Sequence, residues 1–163
     1  MTMTHIETIE LGSSAASITL SSISQDFTDL AIFVSARSTV TGTTNTGGEV
    51  AFNGSTANFS TTTLFGTGSS QGSNTRTNDI FFLPTGDTTA NTYSNNFAII
   101  SNYTASQNKS ISIDNVTEAN ATQAYILLNA SLWSNTAAIT SILIQPASGD
   151  FTANSTFSLY GIS

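Results

Sequence analysis

The pentapeptide GSSQG is the most recognisable catalytic pattern in the chain, and it places Ser70 in the nucleophile position of G-x-S-x-G. Such a serine acts as a nucleophile when a strand precedes it, a helix follows it and a histidine serves as its base. Here polar residues follow the motif, and the single histidine, His5, lies near the N-terminus. In a chain this rich in Gly and Ser we interpret the match as chance. We predict no catalytic residues and a protein that is not an enzyme.

Metal ligands are restricted to carboxylates, since the chain has no cysteine and one histidine. Asp26 and Asp29 lie close together, as do Asp114 and Glu118, and loop carboxylates can bind Ca²⁺ together with backbone oxygens. We interpret Asp26 and Asp29 instead as residues of a turn before a strand, where aspartate caps free N–H groups. The sequence therefore predicts no metal and no cofactor, with calcium as the alternative.

Four further side chains are candidates for recognition. Trp133 lies between two apolar runs, which favours a core position over a sugar-stacking platform. Tyr93 and Tyr103, in or next to polar stretches, are the better candidates for an exposed carbohydrate contact. Arg37 ends an apolar run, and two roles stay open for it: an ion pair with a nearby acid, or a contact to another subunit or a capsid.

Short runs of Thr, Ile, Val, Phe and Tyr bounded by Gly, Asn, Ser and Asp dominate the sequence, and this pattern is typical of many short strands. The stretch 66–79 is rich in Gly, Ser and Asn and predicts an exposed loop. The fold class we predict is all-β: a single antiparallel two-sheet β-sandwich, jelly-roll-like. The predicted strands are 6–11, 17–20, 30–36, 49–53, 60–65, 80–83, 97–102, 110–113, 124–133, 139–145 and 156–162.

The last strand is apolar on both faces if it is extended, because Phe157 and Leu159 point one way and Tyr160 and Ile162 the other. A terminal segment of this kind stays ordered when it is tied into a sheet. We therefore expect it inside the sandwich, paired on at least one edge. The predicted core and fold residues are Trp133, Ile142, Ile144, Phe157, Leu159 and Tyr160.

Two regions are expected along the chain: an N-terminal arm, 1–11, that leads into the first strand, and a single β-sandwich domain, 12–163. The arm is the predicted means of reaching a neighbouring subunit. The possible assembly contacts are His5, Ile6, Ile9 and Arg37.

Charge excludes two classes of partner. Only 8% of the residues are charged, against about 25% in typical globular domains, and the formal net charge is −7. Three basic residues cannot form the patch that nucleic acid requires, and the net negative charge disfavours binding to anionic membranes.

The N-terminus lacks the basic and apolar regions of a secretory signal, and no run approaches the ~20 apolar residues of a membrane span. We expect synthesis in a cytoplasm.

Four segments resemble, in the same order, a family of tailed-phage virion structural proteins whose members end in an STFSLYGI-like motif. They are SITLSSISQDFTDLAIFVSARS (17–38), FNGSTANFSTTTLFGTGS (52–69), ISNYTASQNKSIS (100–112) and LWSNTAAITSILIQPASGDFTANSTFSLYGIS (132–163). The resemblance implies a jelly-roll-like sandwich in a virion, either as a head decoration (cement) protein or as a tail-fibre module. Ser55 stands where the family often has Asp, which weakens any metal or sugar site carried over at that loop.

The length of the chain favours a location on the phage head, because a tail-fibre protein usually adds a long shaft or an adaptor domain. We therefore expect a non-enzymatic decoration protein, a homotrimer bound to the major capsid protein on the outer surface of the head. The alternative is a tail-fibre or receptor-binding module that recognises a host surface glycan through its loops, 39–48, 66–79 and 85–96. A third and weaker alternative is an internal assembly protein.

Overall fold

A computed structural model describes residues 2–118 and 124–163, and in these ranges the chain forms strands, turns and no helix. Met1 of the expected arm lies outside the described residues. The strands are β1 (Met3–Glu10), β2 (Ile18–Leu20), β3 (Asp29–Ser35), β4 (Asn45–Phe52), β5 (Phe59–Gly66), β6 (Gln71–Arg76), β7 (Asp79–Pro84), β8 (Asn95–Ile100), β9 (Lys109–Thr117), β10 (Tyr125–Trp133), β11 (Ile142–Pro146) and β12 (Thr156–Ile162).

The strands form two sheets, one of eight strands in the order β1-β12-β3-β8-β9-β10-β5-β6 and one of four in the order β2-β11-β4-β7. Neighbouring strands are antiparallel in both sheets. The predicted all-β, two-sheet antiparallel β-sandwich is confirmed. Within the described ranges, no helix is long and apolar enough to cross a membrane.

Strand β12 lies inside the eight-stranded sheet, paired with β1 on one side and β3 on the other. The inward side chains of Phe157 and Leu159 are fully buried. Gly161 lies beneath the ring of Phe27, since a Cβ at this position would come 2.2 Å from ring atoms of that phenylalanine. The glycine of the terminal LYGI sequence is therefore required by packing.

The sandwich core contains an aromatic cluster around Trp133, which is 1% exposed. Its ring meets Phe52 edge-on at a centroid distance of 5.3 Å and stacks on Phe59 at 6.2 Å. Ile142 and Ile144 of the smaller sheet lie in the same core. Among the predicted core residues Tyr160 is the exception: it is only half-buried and lies on the outer face of the eight-stranded sheet.

Residues 3–10 are a strand and not an arm. Strand β1 pairs with β12 from Met3 to Glu10, with one irregularity between His5 and Glu7, and so forms an edge of the larger sheet. The reason is hydrogen bonding: β12 would otherwise leave a row of unpaired backbone groups. The predicted strand 6–11 is therefore part of β1, which begins three residues earlier, and residues 3–10 belong to the sandwich instead of forming a separate arm.

Strand β6 replaces part of the predicted loop 66–79. It pairs along its length with β5 and forms the opposite edge of the eight-stranded sheet. Its residues QGSNTR are mostly exposed. An edge strand needs backbone hydrogen bonds and little apolar burial, so its composition resembles that of a loop.

Asparagine supplies many of the tight turns. Among the residues that the structure describes, six non-glycine residues have positive φ, and five of them are Asn, whose short polar side chain tolerates the left-handed region. They are Ser22, Asn53, Asn58, Asn91, Asn102 and Asn154. The abundance of Asn in this sequence thus has a structural cause in the connections between strands.

Candidate functional site

Arg37 lies inside its own subunit, at 7% exposure. One guanidinium nitrogen donates to the carbonyls of Thr89 (2.7 Å) and Thr92 (3.1 Å) and to the hydroxyl of Thr92 (3.1 Å). The other donates to the carbonyls of Thr88 (2.9 Å) and Gly86 (3.4 Å). Arg37 therefore fixes the loop between β7 and β8. The guanidinium group binds carbonyl and hydroxyl oxygens instead of the expected acidic side chain, and it is too buried to form the expected assembly contact.

The other two basic residues also have internal partners. Lys109 is fully buried, donates to the carbonyl of Ala105 at 2.6 Å and also to that of Gln107, and burial lowers the pKa of its ammonium group. Arg76 forms an ion pair with Asp79 at 2.6 Å. All three cations of the chain are thus engaged within the subunit, and the exposed charge is predominantly negative.

The three candidate contacts of β1 have different environments. Ile6 and Ile9 are partly buried against the core, so they stabilise the subunit instead of projecting from it. His5 is exposed on the outer face, where Nε2 lies 2.9 Å from the hydroxyl of Thr8 and the ring meets Tyr160 edge-on at 5.4 Å. Of these three, only His5 is placed for an external contact.

An aliphatic patch occupies the outer face of the eight-stranded sheet on β5, β9 and β10. Leu128 lies directly opposite Leu64, and Ile126 directly opposite Val116. These side chains are 50%, 56%, 67% and 42% exposed, respectively. We call this set, Leu64, Val116, Ile126 and Leu128, the aliphatic patch.

An aromatic row continues the apolar surface across the same face. The rings of Phe33 and Phe97, opposite each other on β3 and β8, have centroids 4.7 Å apart, and Tyr160 meets Phe33 edge-on at 5.5 Å. Asp114 of β9 separates the two groups, with Phe97 on one side and Leu128 on the other. Large exposed apolar patches bordered by polar residues mark interaction sites, so each of the two groups is a candidate contact surface.

A cleft opens between the sheets at the edge formed by β5 and β6. Its volume is about 300 Å³. It arises because β7, the edge strand of the smaller sheet, packs against β9 and β10 and leaves the inner face of β6 partly uncovered. The lining residues are Asn45, Phe65, Thr67, Ser70, Asn74, Arg76, Phe82, Tyr125 and Leu127.

The polar and aromatic groups of the cleft are held in place by one another. The guanidinium carbon of Arg76 lies 5.5 Å from the centroid of the Phe82 ring, and that ring packs on Tyr125 at 4.9 Å. Burial raises the pKa of the Asp79 carboxyl above its usual value, although the Arg76 guanidinium partly offsets this. Arg76 Nε is buried and has no hydrogen-bond partner.

Ser70 lies in the turn between β5 and β6, with its hydroxyl 2.9 Å from that of Thr67. The G-x-S-x-G segment thus leads into a strand and not into a helix. His5 is on β1, at the far edge of the sheet, six strand spacings away from β5. At about 4.8 Å per spacing, the two residues are on the order of 30 Å apart.

The acidic pairs have local structural partners. Asp29 accepts the backbone N–H of Asn102 at 2.7 Å, and Asp26 accepts the hydroxyl of Ser24 at 2.7 Å. The interpretation as a turn residue agrees with the contact of Asp26, whereas Asp29 is the first residue of β3 and its partner, Asn102, lies in the connection between β8 and β9. In residues 2–118 and 124–163, no three His, Asp or Glu side chains converge as metal ligands.

The two tyrosines predicted to contact carbohydrate form hydrogen bonds within the subunit. Tyr103 is fully buried, its hydroxyl donates to the carbonyl of Ser24, and burial raises its pKa. The hydroxyl of Tyr93 donates to the carbonyl of Ala153 at 2.9 Å. The rings that do line a cleft, Phe65, Phe82 and Tyr125, were not singled out by the sequence, because they come from three strands and meet only in the fold.

No protein-family model matches the chain, and no curated protein or solved structure matches it either. The resemblance to tailed-phage virion proteins therefore stays a prediction that depends on the sequence segments quoted for it.

Proposed function

We propose that this protein is a bacteriophage virion structural protein, a non-enzymatic capsid decoration (cement) protein that binds the outer lattice of the head and stabilises it. The sequence resemblance supports a virion location. The observation that carries the proposal is the aliphatic patch and the aromatic row on the outer face of the eight-stranded sheet, which suit a protein whose role is to pack against other proteins.

The aliphatic patch is the proposed contact between copies of the chain in a homotrimer. Each copy carries a formal charge of −7, so two copies repel each other over most of their surface. The patch has little negative charge nearby, since Asp114 is the only carboxylate within strands β5, β9 and β10. Burying Leu64, Ile126 and Leu128 in a subunit contact would offset that repulsion.

The aromatic row is the proposed contact to the major capsid protein. A trimer would present three such rows, and several weak contacts on one particle give an avidity that a single contact lacks. All three cations are engaged within the subunit. This supports the expectation that neither nucleic acid nor an anionic membrane is a partner.

The experiment uses purified protein and phage heads that lack it. We expect wild-type protein to bind these heads, to sediment as a trimer, and to raise the temperature at which the heads open. Leu128→Thr, which keeps a good strand former on an exposed position, should weaken the trimer. Thr62→Ala, on the same face of β5, is the matched control and should leave it unchanged.

Two results contradict the proposal. One is a protein that does not bind such heads and labels only the tail. The other is a trimer that Leu128→Thr leaves intact, which would remove the aliphatic patch as the contact between copies.

A receptor-binding module that recognises a host glycan is the second candidate. It is favoured by the contact between two of the predicted loops: the N–H of Gly86 donates to the carbonyl of Val40 at 2.8 Å. The buried Arg37 side chain donates hydrogen bonds to the 86–92 segment, so the loops 39–48 and 85–96 form one ordered surface. Failure of the purified protein to block phage adsorption to host cells would exclude this candidate.

A further inference from the structure

We infer that the cleft beside β6 binds a neutral sugar ring. The site lies between the sheets, on the opposite side of β5 and β10 from the aliphatic patch, so it stays open when the outer face is covered. The inference does not rest on the decoration role. It gives the glycan recognition of the second candidate a specific site, since Asn45, Ser70 and Asn74 belong to the stretches 39–48 and 66–79 predicted for it.

The aromatic side chains supply the apolar part of the site. Phe65 of β5 and Tyr125 of β10 are half-buried and offer ring area to the cleft, whereas Phe82 is 5% exposed and supports Tyr125, with the two ring centroids 4.9 Å apart. The negative face of such a ring attracts the polarised C–H groups on one face of a pyranose. Gly72 keeps Phe65 in position, because a Cβ there would come 2.8 Å from the end of the ring.

The polar side chains supply the directional part. Asn74 and Arg76 both point inward from β6, since they pair with the inward residues Thr63 and Thr61 of β5. Asn45 reaches the cleft from β4. Asparagine amides donate and accept hydrogen bonds, and guanidinium groups donate them. Together they match sugar hydroxyl groups, which both donate and accept. The unpartnered Nε of Arg76 is a buried donor that lacks an acceptor.

Charge selects a neutral ligand. The ion pair with Asp79 balances the charge of Arg76, and the chain as a whole is acidic, so phosphate and carboxylate ligands gain little here. A volume of about 300 Å³ is at the lower end of small-molecule sites. It fits one sugar residue with its neighbours outside, and we expect a dissociation constant in the millimolar range.

The test measures ¹H–¹⁵N chemical shifts of the full chain during titration with methyl glycosides of glucose, galactose, mannose, N-acetylglucosamine and N-acetylgalactosamine. We expect at least one of the five to shift the resonances of β6 and of Tyr125 in a saturable way. Tyr125→Ala and Asn74→Ala should each weaken that binding at least tenfold. Thr75→Ala, on the outward face of the same strand, is the matched control and should leave it unchanged.

Three results overturn the inference. These are the absence of saturable shifts with all five glycosides, binding that Tyr125→Ala and Asn74→Ala both leave unchanged, and a preference for N-acetylneuraminic acid or inorganic phosphate over the neutral glycosides. The thermal unfolding of each variant is measured alongside, and if Tyr125→Ala unfolds, the effect of Asn74→Ala on binding decides the outcome.

Discussion

Replacing Arg37 with methionine should destabilise the fold without removing an assembly contact. The guanidinium makes five hydrogen bonds to the 86–92 loop, and the shortest of them are 2.7 and 2.9 Å. Hydrogen bonds to a charged group contribute about 1.5–3 kcal/mol each, so these two alone amount to roughly 3–6 kcal/mol. Part of this is offset, because the loop carbonyls can turn towards water once the cation is gone.

We expect a net loss of about 3 kcal/mol in the free energy of unfolding of Arg37→Met, near the upper end of ordinary single substitutions. In a chain of this size 1 kcal/mol shifts the melting temperature by about 2–4 °C, so Tm should fall by roughly 6–12 °C. Arg37→Lys should recover part of the loss, since one ammonium group cannot reach carbonyls on both sides.

Thermal and urea unfolding followed by circular dichroism measure the effect. Thr89→Ala is the matched control, because it keeps the backbone carbonyl that Arg37 contacts and removes only an exposed side chain. An Arg37→Met protein as stable as the wild type but unable to assemble would refute this reasoning. It would also restore the intersubunit role predicted from the sequence.

Three further substitutions test the core and the charge distribution. Gly161→Ala should cost about 1–3 kcal/mol by driving a methyl group into Phe27, and a wild-type Tm would contradict the packing described. Trp133→Ala should cost roughly 3–5 kcal/mol in urea unfolding, whereas a loss near zero would mean that the ring is not in the core. Asp79 has a raised pKa in the fold, so its contribution to stability is present at low pH and is lost as pH rises above the ordinary value of 3.8. The wild type should therefore gain stability relative to Asp79→Asn as pH falls from neutral towards 4, and a pH-independent difference would show that burial does not raise this pKa.

Strands with clear apolar alternation could be predicted from the sequence. Strand β12 begins and ends where predicted, and its pairing on both sides follows from its apolar residues. Strand β6 could not be predicted, because an edge strand of polar residues has no periodic signal. Alternation predicts Tyr160 in the core because it shows that two faces exist and not which of them is covered.

The candidate surfaces depend on contacts between residues far apart in sequence. Leu64 and Leu128 form part of one patch only because β5 and β10 are neighbours, and that pairing has no local signature. For Arg37 the sequence leaves two roles open, an ion pair with a nearby acid and a contact to another subunit or a capsid. Its actual partners are backbone carbonyls, which carry no residue-type signal in a sequence.

The number of copies of this chain in each virion tests the proposed role most directly. Quantitative mass spectrometry of purified particles, with the major capsid protein as internal reference, gives that ratio. A decoration protein on the head lattice predicts hundreds of copies, in a fixed proportion to the capsid protein. A few copies to a few dozen, or no copies in the particle, would contradict the account.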